Sequence, residues 1–206
     1  MPEAHDTTIS RSTLTASGTL DEVMAILKRH LPLTTQGRKW VAEDIYRVLV
    51  DASARASTVE SVCNELATAP DANTVFFWLK PIESQELRQL EETLNQMLVD
   101  RLPPRLDYRP RQLAIDFTWI PYHGEPAHDA AEIRRGEAKS GTSHFHCYAS
   151  AYLIYRNKRV TLAVTMVRAD DTTLAVLQRL LARVQGLGIR CSRLYLDRTF
   201  FNVPVI

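Results

Sequence analysis

The sequence lacks the marks of a membrane, secreted or common hydrolytic protein. It has no run of about 18 apolar residues, the minimum for a spanning helix. Its first residues, 1–18, show no signal pattern and predict a flexible leader. The three cysteines are widely spaced and fit neither disulfide nor zinc spacing, which favours a reducing cytosol. A Gly-rich phosphate loop, a CxxC pair and a Ser–His–Asp order are missing, so nucleotide hydrolysis, thiol redox chemistry and serine hydrolysis are unsupported.

Excess charge of one sign is also missing, since the formal net charge is +1. The distribution is uneven. Up to Arg111 there are 13 Lys and Arg against 16 Asp and Glu, or −3, and from Gln112 onward there are 12 against 8, or +4. A basic second half suits a phosphate backbone.

Residues 19–102 carry apolar residues at helical spacing. Helices are predicted over 20–31, with Thr19 as the cap, over about 39–54, within 57–80, and over 83–102. The region is therefore expected to be a helical domain, with Pro81 ending one of its helices.

The segment 57–80 has the outline of a helix-turn-helix, because a short helix is broken at ATAP and a second begins near Ala72. Asp71 is the predicted N-cap of the second helix. If this helix lies in the major groove of DNA, the candidate contacts are Asn73, Thr74 and Lys80, with Val75, Phe76 and Leu79 packing inward. A plain helical bundle is the alternative.

A basic, proline-rich segment, 103–111, is the predicted boundary between domains. Arg105, Arg109 and Arg111 are candidates for contacts with DNA phosphates. An ordinary solvated connector is the alternative.

Beyond this segment, in 112–206, the apolar period changes from helical spacing to alternation. Strands are predicted at 112–120, 144–155, 159–167 and 192–196, with a helix at 172–187 before the last strand. The chain is thus expected to be α+β, with a helical N-terminal DNA-binding region followed by an incomplete RNase H-like β-β-β-α-β domain.

Two aspartates lie on strands that this topology makes neighbours. Asp116 is within the first strand, and Asp197 follows the last, which returns parallel to the first by a right-handed crossover. Such a pair suits two Mg²⁺ or Mn²⁺ ions, which stabilise the charge that develops in phosphodiester cleavage. Asp116 and Asp197 are therefore the candidate catalytic and metal-binding residues. Carboxylates paired with an arginine or a backbone amide are the alternative.

The residues from about Leu66 to the end resemble insertion-sequence transposases of the IS-four-like DDE group, especially the branch first known from haloarchaea. The similarity rests on three blocks, AIDFTWIPYHGEP, the Gly141-Thr142 pair before the second strand, and a strand that ends in Asp197-Arg198 with Phe200. Thr199 stands where the family usually has glycine.

The resemblance implies metal-dependent cleavage and strand transfer at terminal inverted repeats. It also implies double-stranded DNA as repeat and target, self-association on paired ends, and a cytoplasmic, nucleoid-associated prokaryotic protein. The family's third acidic residue, a glutamate, is expected well beyond Asp197, whereas the sequence ends nine residues after it. The chain is therefore expected to be the front part of a transposase and inactive alone. A non-catalytic DNA-binding remnant and another RNase H-like nuclease are the alternatives.

The polar segment 124–143 is predicted to be a long loop. Its Arg134, Arg135 and Lys139 are candidates for phosphate contacts. A zinc site using His144 and His146 with His123 or His128 is a weaker alternative.

Overall fold

The computed structural model describes residues 15–35, 38–83, 87–103, 106, 109–125, 131–155 and 158–200. The chain is α+β and divides into two compact units, Met1–Ser84 and Gln85–Ile206. We call them the helical unit and the sheet unit. The described residues hold six α-helices and a mixed five-stranded sheet.

The helical unit contains four helices, α1 (Ala16–His30), α2 (Ala42–Arg55), α3 (Val59–Glu65) and α4 (Ala72–Glu83). Its core is a small cluster from α2, α3 and α4, namely Ile45, Val48, Ala52, Val62 and Val75. These apolar positions recur at helical spacing, so the helices bury one face each.

Two helix ends in this unit differ from the predictions. Helix α1 begins earlier than expected, because Thr15 rather than Thr19 is the cap and its hydroxyl accepts the Gly18 N–H at 3.0 Å. The predicted leader, 1–18, thus overlaps α1, and residues 1–14 lie outside the described residues. Helix α4 runs past Pro81 to Glu83, because a proline near the end of a helix removes few bonds.

The sheet unit contains α5 (Leu87–Val99), β1 (Arg111–Pro121), β2 (Ile133–Lys139), β3 (Thr142–Tyr155), β4 (Lys158–Val167), α6 (Thr173–Gly186) and β5 (Cys191–Leu196). Strand β3 is antiparallel to β1 on one side, and both β2 and β4 pair with its other side. Strand β5 is parallel to β1. Apart from β2, the order of the strands across the sheet is therefore β4-β3-β1-β5.

Strand β2 corrects the predicted loop over 124–143. The segment IRRGEAK lacks apolar alternation, but its backbone pairs with the start of β3. Ser140 and Gly141, both with positive φ, form the tight turn between them. The strand pattern before α6 is thus four strands rather than three.

One face of the sheet packs on α6. Leu113 and Ile115 of β1 meet Leu177 and Leu180 of α6 in a large buried cluster. Thr172 caps this helix by accepting the Ala175 N–H at 3.1 Å. Alternation places Asp116 and its even-numbered neighbours on the opposite face.

Helix α5 belongs to the sheet unit and not to the helical region in which 83–102 was predicted. The Asn95 side chain donates to Val164 O at 2.8 Å and accepts from Val164 N at 2.9 Å. Glu91 Oε2 accepts from Met166 N and from Thr165 Oγ1, both at 2.9 Å. The side chains of α5 therefore satisfy the outer edge of β4 as another strand would.

The boundary between the compact units consequently lies before α5 and not in the predicted linker 103–111. Leu106, inside that segment, is buried in the core of the sheet unit, and Arg111 already belongs to β1. Within the described parts of the chain, none of the helices has the length and apolar character that crossing a bilayer requires.

Candidate catalytic site

Asp116 and Asp197 lie side by side on neighbouring parallel strands. The register pairs Ala114 with Tyr195 and Ile115 with Leu196, so Asp116 and Asp197 are the next pair. The N–H of Asp197 continues this ladder by donating to Ile115 O at 3.3 Å. Paired residues on adjacent strands point to the same face, with the strands about 4.8 Å apart.

Asp116 is half-buried on the sheet face that α6 does not cover, and it faces Ser150 of β3 on its other side. Among the described residues, no hydrogen bond or ion pair reaches its carboxylate. Each of its carboxylate oxygens keeps some contact with solvent, so both can accept a ligand from outside the described residues.

Asp197 is exposed and is oriented by the turn that follows β5. Its carboxylate accepts the Thr199 hydroxyl at 3.0 Å and the Arg198 N–H, and its carbonyl accepts the Phe200 N–H at 2.9 Å. Thr199, where the resembling family usually has glycine, therefore contributes a bond to the candidate site. A carboxylate has about four lone-pair positions, so acceptor capacity remains for another ligand.

Phe200 anchors this turn. Its ring stacks on Phe117 with centroids 4.6 Å apart, and its side chain is 1% exposed. Phe117 and α6 therefore cover the Phe200 ring, which belongs to the core of the sheet unit.

The two carboxylates offer hard oxygen donors, the ligands that Mg²⁺ and Mn²⁺ prefer. Across the described ranges, no cluster of three or more His, Cys, Asp or Glu side chains that could hold a metal is present. The described site is therefore a pair, without the third acidic group that the resemblance implies.

Several motif residues of the resemblance have structural roles where β1 ends and β3 begins. The Thr142 hydroxyl donates to Tyr122 O at 2.8 Å and accepts the His144 N–H at 3.0 Å. A Cβ on Gly124 would collide with the Tyr122 ring. Gly141 has a φ of 78°, which favours glycine. These residues fix the ends of β1 and β3.

The candidate groove residues of α4 share its surface with aromatic rings. Asn73 and Lys80 are exposed, whereas the Thr74 hydroxyl donates to Asp71 Oδ2 at 2.7 Å. Asp71 also accepts the Thr74 N–H at 3.0 Å, which confirms its capping role. Phe76, predicted to pack, is 44% exposed, and Phe77 is 58% exposed. The outward face of α4 is thus less polar than predicted.

The predicted phosphate-binding arginines fall into three groups. Arg105 lies outside the described residues, and Arg109 is exposed. Arg111 Nε donates to Leu106 O at 3.0 Å, and Arg134 Nη1 donates to Arg168 O and Asp171 O at 3.0 and 2.9 Å. These last two side chains are engaged in holding loops of the sheet unit.

Arg135 and Lys139 are exposed on β2, as a phosphate contact requires. Arg135 pairs with His144, which lies on the same face as Asp116. His128 lies outside the described residues, and the His146 ring packs edge-on against Tyr122 at 5.1 Å. Among the described residues, no three side chains form the cluster that a zinc site would need.

Sequence reasoning missed a group of side chains beside the aspartates. Tyr152, Arg159, Arg193 and Tyr195 lie on the same sheet face, toward the other end of the β1–β5 pair. The sequence pattern that could have revealed them is alternation, since Arg193 and Tyr195 precede Asp197 at every second position and so share its face of the sheet.

Comparison with protein-family models, with curated proteins and with solved structures found no match to this chain.

Proposed function

We propose that the chain carries part of the catalytic centre of a DNA transposase of the DDE type, in an RNase H-like sheet. The observation that carries the proposal is the β1–β5 register, which makes Asp116 and Asp197 neighbours on one face. The strand path β4-β3-β1-β5 and the helix before β5 support the RNase H-like assignment.

The donor set fits a divalent metal. Asp116 has no partner among the described residues, and Asp197 is held in place by its own turn. Asp116 and Asp197 would hold Mg²⁺ or Mn²⁺, which when bound supplies stabilisation of the charge that develops on the phosphodiester oxygens. The chain's own residues place the carboxylates, since Phe200 and Thr199 fix one and the central strand β1 fixes the other.

The same geometry limits the proposal for the isolated chain. With two carboxylates in the described site, we expect metal binding but no transposition by this polypeptide alone. Strong Mg²⁺-dependent cleavage of end-repeat DNA by the purified chain would contradict this expectation.

DNA is the proposed partner, and the charges favour the sheet unit as its main contact. Residues 85–206 have 17 Lys and Arg and 13 Asp and Glu, or +4, whereas residues 1–84 have 8 and 11, or −3. Repeat recognition by α4, through Asn73 and Lys80, remains a separate proposal, because its face also presents Phe76 and Phe77.

The metal site is tested by titrating the full chain with Mn²⁺ and following bound metal by electron paramagnetic resonance. Asp116→Asn preserves shape and removes the charge, so we expect affinity to fall about tenfold or more, at least the loss known for outer-shell residues. Asp170→Asn is the matched control, because the Asp170 side chain is 88% exposed and lies in the turn before α6.

Two results decide the matter. Loss of Mn²⁺ binding in Asp116→Asn and Asp197→Asn, with Asp170→Asn unchanged, supports the site. Equal affinity in all four proteins refutes it. A circular dichroism spectrum of each variant shows that the fold is retained, and lost Mn²⁺ binding counts only where it is.

A further inference from the structure

The sheet face that carries the aspartates continues into a surface built from two arginines and two tyrosines. We call Tyr152, Arg159, Arg193 and Tyr195 the arginine–tyrosine surface. Tyr195 pairs with Ala114 of β1, and Ala114 pairs with Tyr152 of β3. The two tyrosines therefore flank the small side chain of Ala114 on one face.

Side-chain contacts hold each arginine beside a ring. The Arg159 guanidinium lies over the Tyr152 ring at 4.2 Å. Arg193 Nη1 donates to the Tyr195 hydroxyl at 3.3 Å, and that hydroxyl donates to Gln112 Oε1 at 3.3 Å. Both arginines are thus positioned rather than extended freely into solvent.

The surface is accessible and carries charge of one sign. Arg159 and Arg193 are exposed, and Tyr195 is 44% exposed. The uncharged residues that share this face at the same level are Gln112, Ala114, Ile154 and Thr161. Ile154 is 58% exposed, so an apolar contact lies between the two arginines.

We propose that the arginine–tyrosine surface binds a single-stranded segment of DNA and leads it to the aspartate pair. Arginine heads suit phosphates, and exposed aromatic rings stack on bases in a sequence-tolerant way. Stacking on a sheet requires unpaired bases, since those of a duplex are already stacked on one another.

The link to the aspartates rests on the proposed function, whereas strand binding itself does not. Tyr195 is two residues before Asp197, or about 7 Å along the strand. A base on Tyr195 therefore brings an adjacent phosphodiester toward Asp116 and Asp197.

The test is fluorescence anisotropy of the full chain with a labelled oligodeoxythymidylate in EDTA, compared with a duplex of equal length. We expect tighter binding of the single strand, about tenfold weaker binding by Tyr195→Ala, and near wild-type binding by Tyr195→Phe, because the ring is kept. The double variant Arg159→Ala/Arg193→Ala should lower the slope of log affinity against log salt by about 1.4, at 0.7 per phosphate contact. Arg47→Ala/Arg88→Ala, on exposed helix positions, is the control of equal charge change.

Equal losses in the two double variants would overturn the proposal, because the effect would then be one of net charge. Preference for the duplex, or equal losses in Tyr195→Ala and Tyr195→Phe, would overturn it too. If Tyr195→Ala fails to fold, the salt slope of the arginine variants decides alone.

Mn²⁺ binding and single-strand binding by the wild-type chain, measured separately, distinguish this inference from the proposed function. If the wild type binds single-stranded DNA but not Mn²⁺, the catalytic assignment is wrong and the proposal for the arginine–tyrosine surface is retained. If it binds Mn²⁺ but not single-stranded DNA, the proposal for the surface is wrong and the catalytic assignment is retained.

Discussion

The helical unit and the sheet unit hold their charged and polar groups in different ways. In the helical unit the ion pairs are on the surface, as between Lys28 and Glu43 or between Arg55 and Asp51. In the sheet unit, Asn95 and Glu91 reach backbone groups of β4 about 70 positions further along the chain. The sheet unit thus ties polar side chains to the backbone of a strand far along the chain, whereas the helical unit pairs charged side chains at its surface.

The cores differ in the same direction. Among the described residues, five form the buried cluster of the helical unit and sixteen that of the sheet unit. The two clusters share no residue. The helical unit has the smaller core and therefore less stability to lose. Because the two cores are separate, a substitution in its core should destabilise the helical unit and not the sheet unit.

The largest expected effect on stability comes from shortening one buried side chain in either core. Leu180 and Ile45 are both fully buried, so Leu180→Ala and Ile45→Ala should each lower the free energy of unfolding of their own unit by about 3 kcal/mol. Amide hydrogen exchange checks the location. Leu180→Ala should speed exchange in β1 and β3, and Ile45→Ala in α2. If Ile45→Ala speeds exchange in β1 as strongly, the units are not separate.

A smaller effect is expected at the covered edge of the sheet. Asn95→Leu leaves the N–H and C=O of Val164 without their partner, so we expect a loss of about 2 kcal/mol in urea unfolding of the sheet unit. Gln96→Leu, next in sequence and exposed, is the matched control and should change stability by less than about 0.5 kcal/mol. Similar losses in both variants would mean that α5 does not seal β4 through Asn95.

The smallest expected effect is on the stability of the sheet unit at acid pH. Burial alone raises the pKa of Asp171, but hydrogen bonds from Arg179 at 2.6 and 2.7 Å and from the Arg168 N–H bring it below its usual value. Because the folded-state pKa is depressed, the stabilisation is present above about pH 4 and is lost as the pH falls through that pKa. Asp171→Asn should therefore flatten the pH dependence of sheet-unit stability below pH 4, by about 1 kcal/mol.

Glu43 provides the comparison for this acid effect in the helical unit. Lys28 lowers the pKa of Glu43, but both side chains are more than 40% exposed and screened by solvent. Salt at about 1 M should remove the contribution of Glu43 and leave most of that of Asp171. A contribution of Asp171 that vanishes equally in salt would contradict its partly buried bidentate pairing.

Apolar spacing in the sequence predicted β1, β3, β4, α6 and β5, because each of them packs its own apolar side chains into the core of the sheet unit. It missed β2, whose pairing comes from the neighbouring β3 rather than from its own side chains. It also assigned α5 to the wrong unit, because periodicity shows that a helix has an apolar face but not what lies against it.

The aspartate neighbours were predictable from topology, since a right-handed crossover returns β5 beside β1 and their aspartates then fall in register. The engagement of Arg111 and Arg134 was not, because a solvated arginine and one bonded to a loop carbonyl have the same sequence signal. The exposure of Phe76 was missed for a related reason, as a short helix rich in apolar residues has no single inward face.

The bonds between Asn95 and Val164 occupy the outer edge of β4. Among the described strands, β5 has no partner on the side away from β1, so a further strand can add there. An added strand there would lie directly next to Asp197, whichever molecule supplied it. Extension of the sheet at β5 would therefore also place new side chains beside the carboxylate pair.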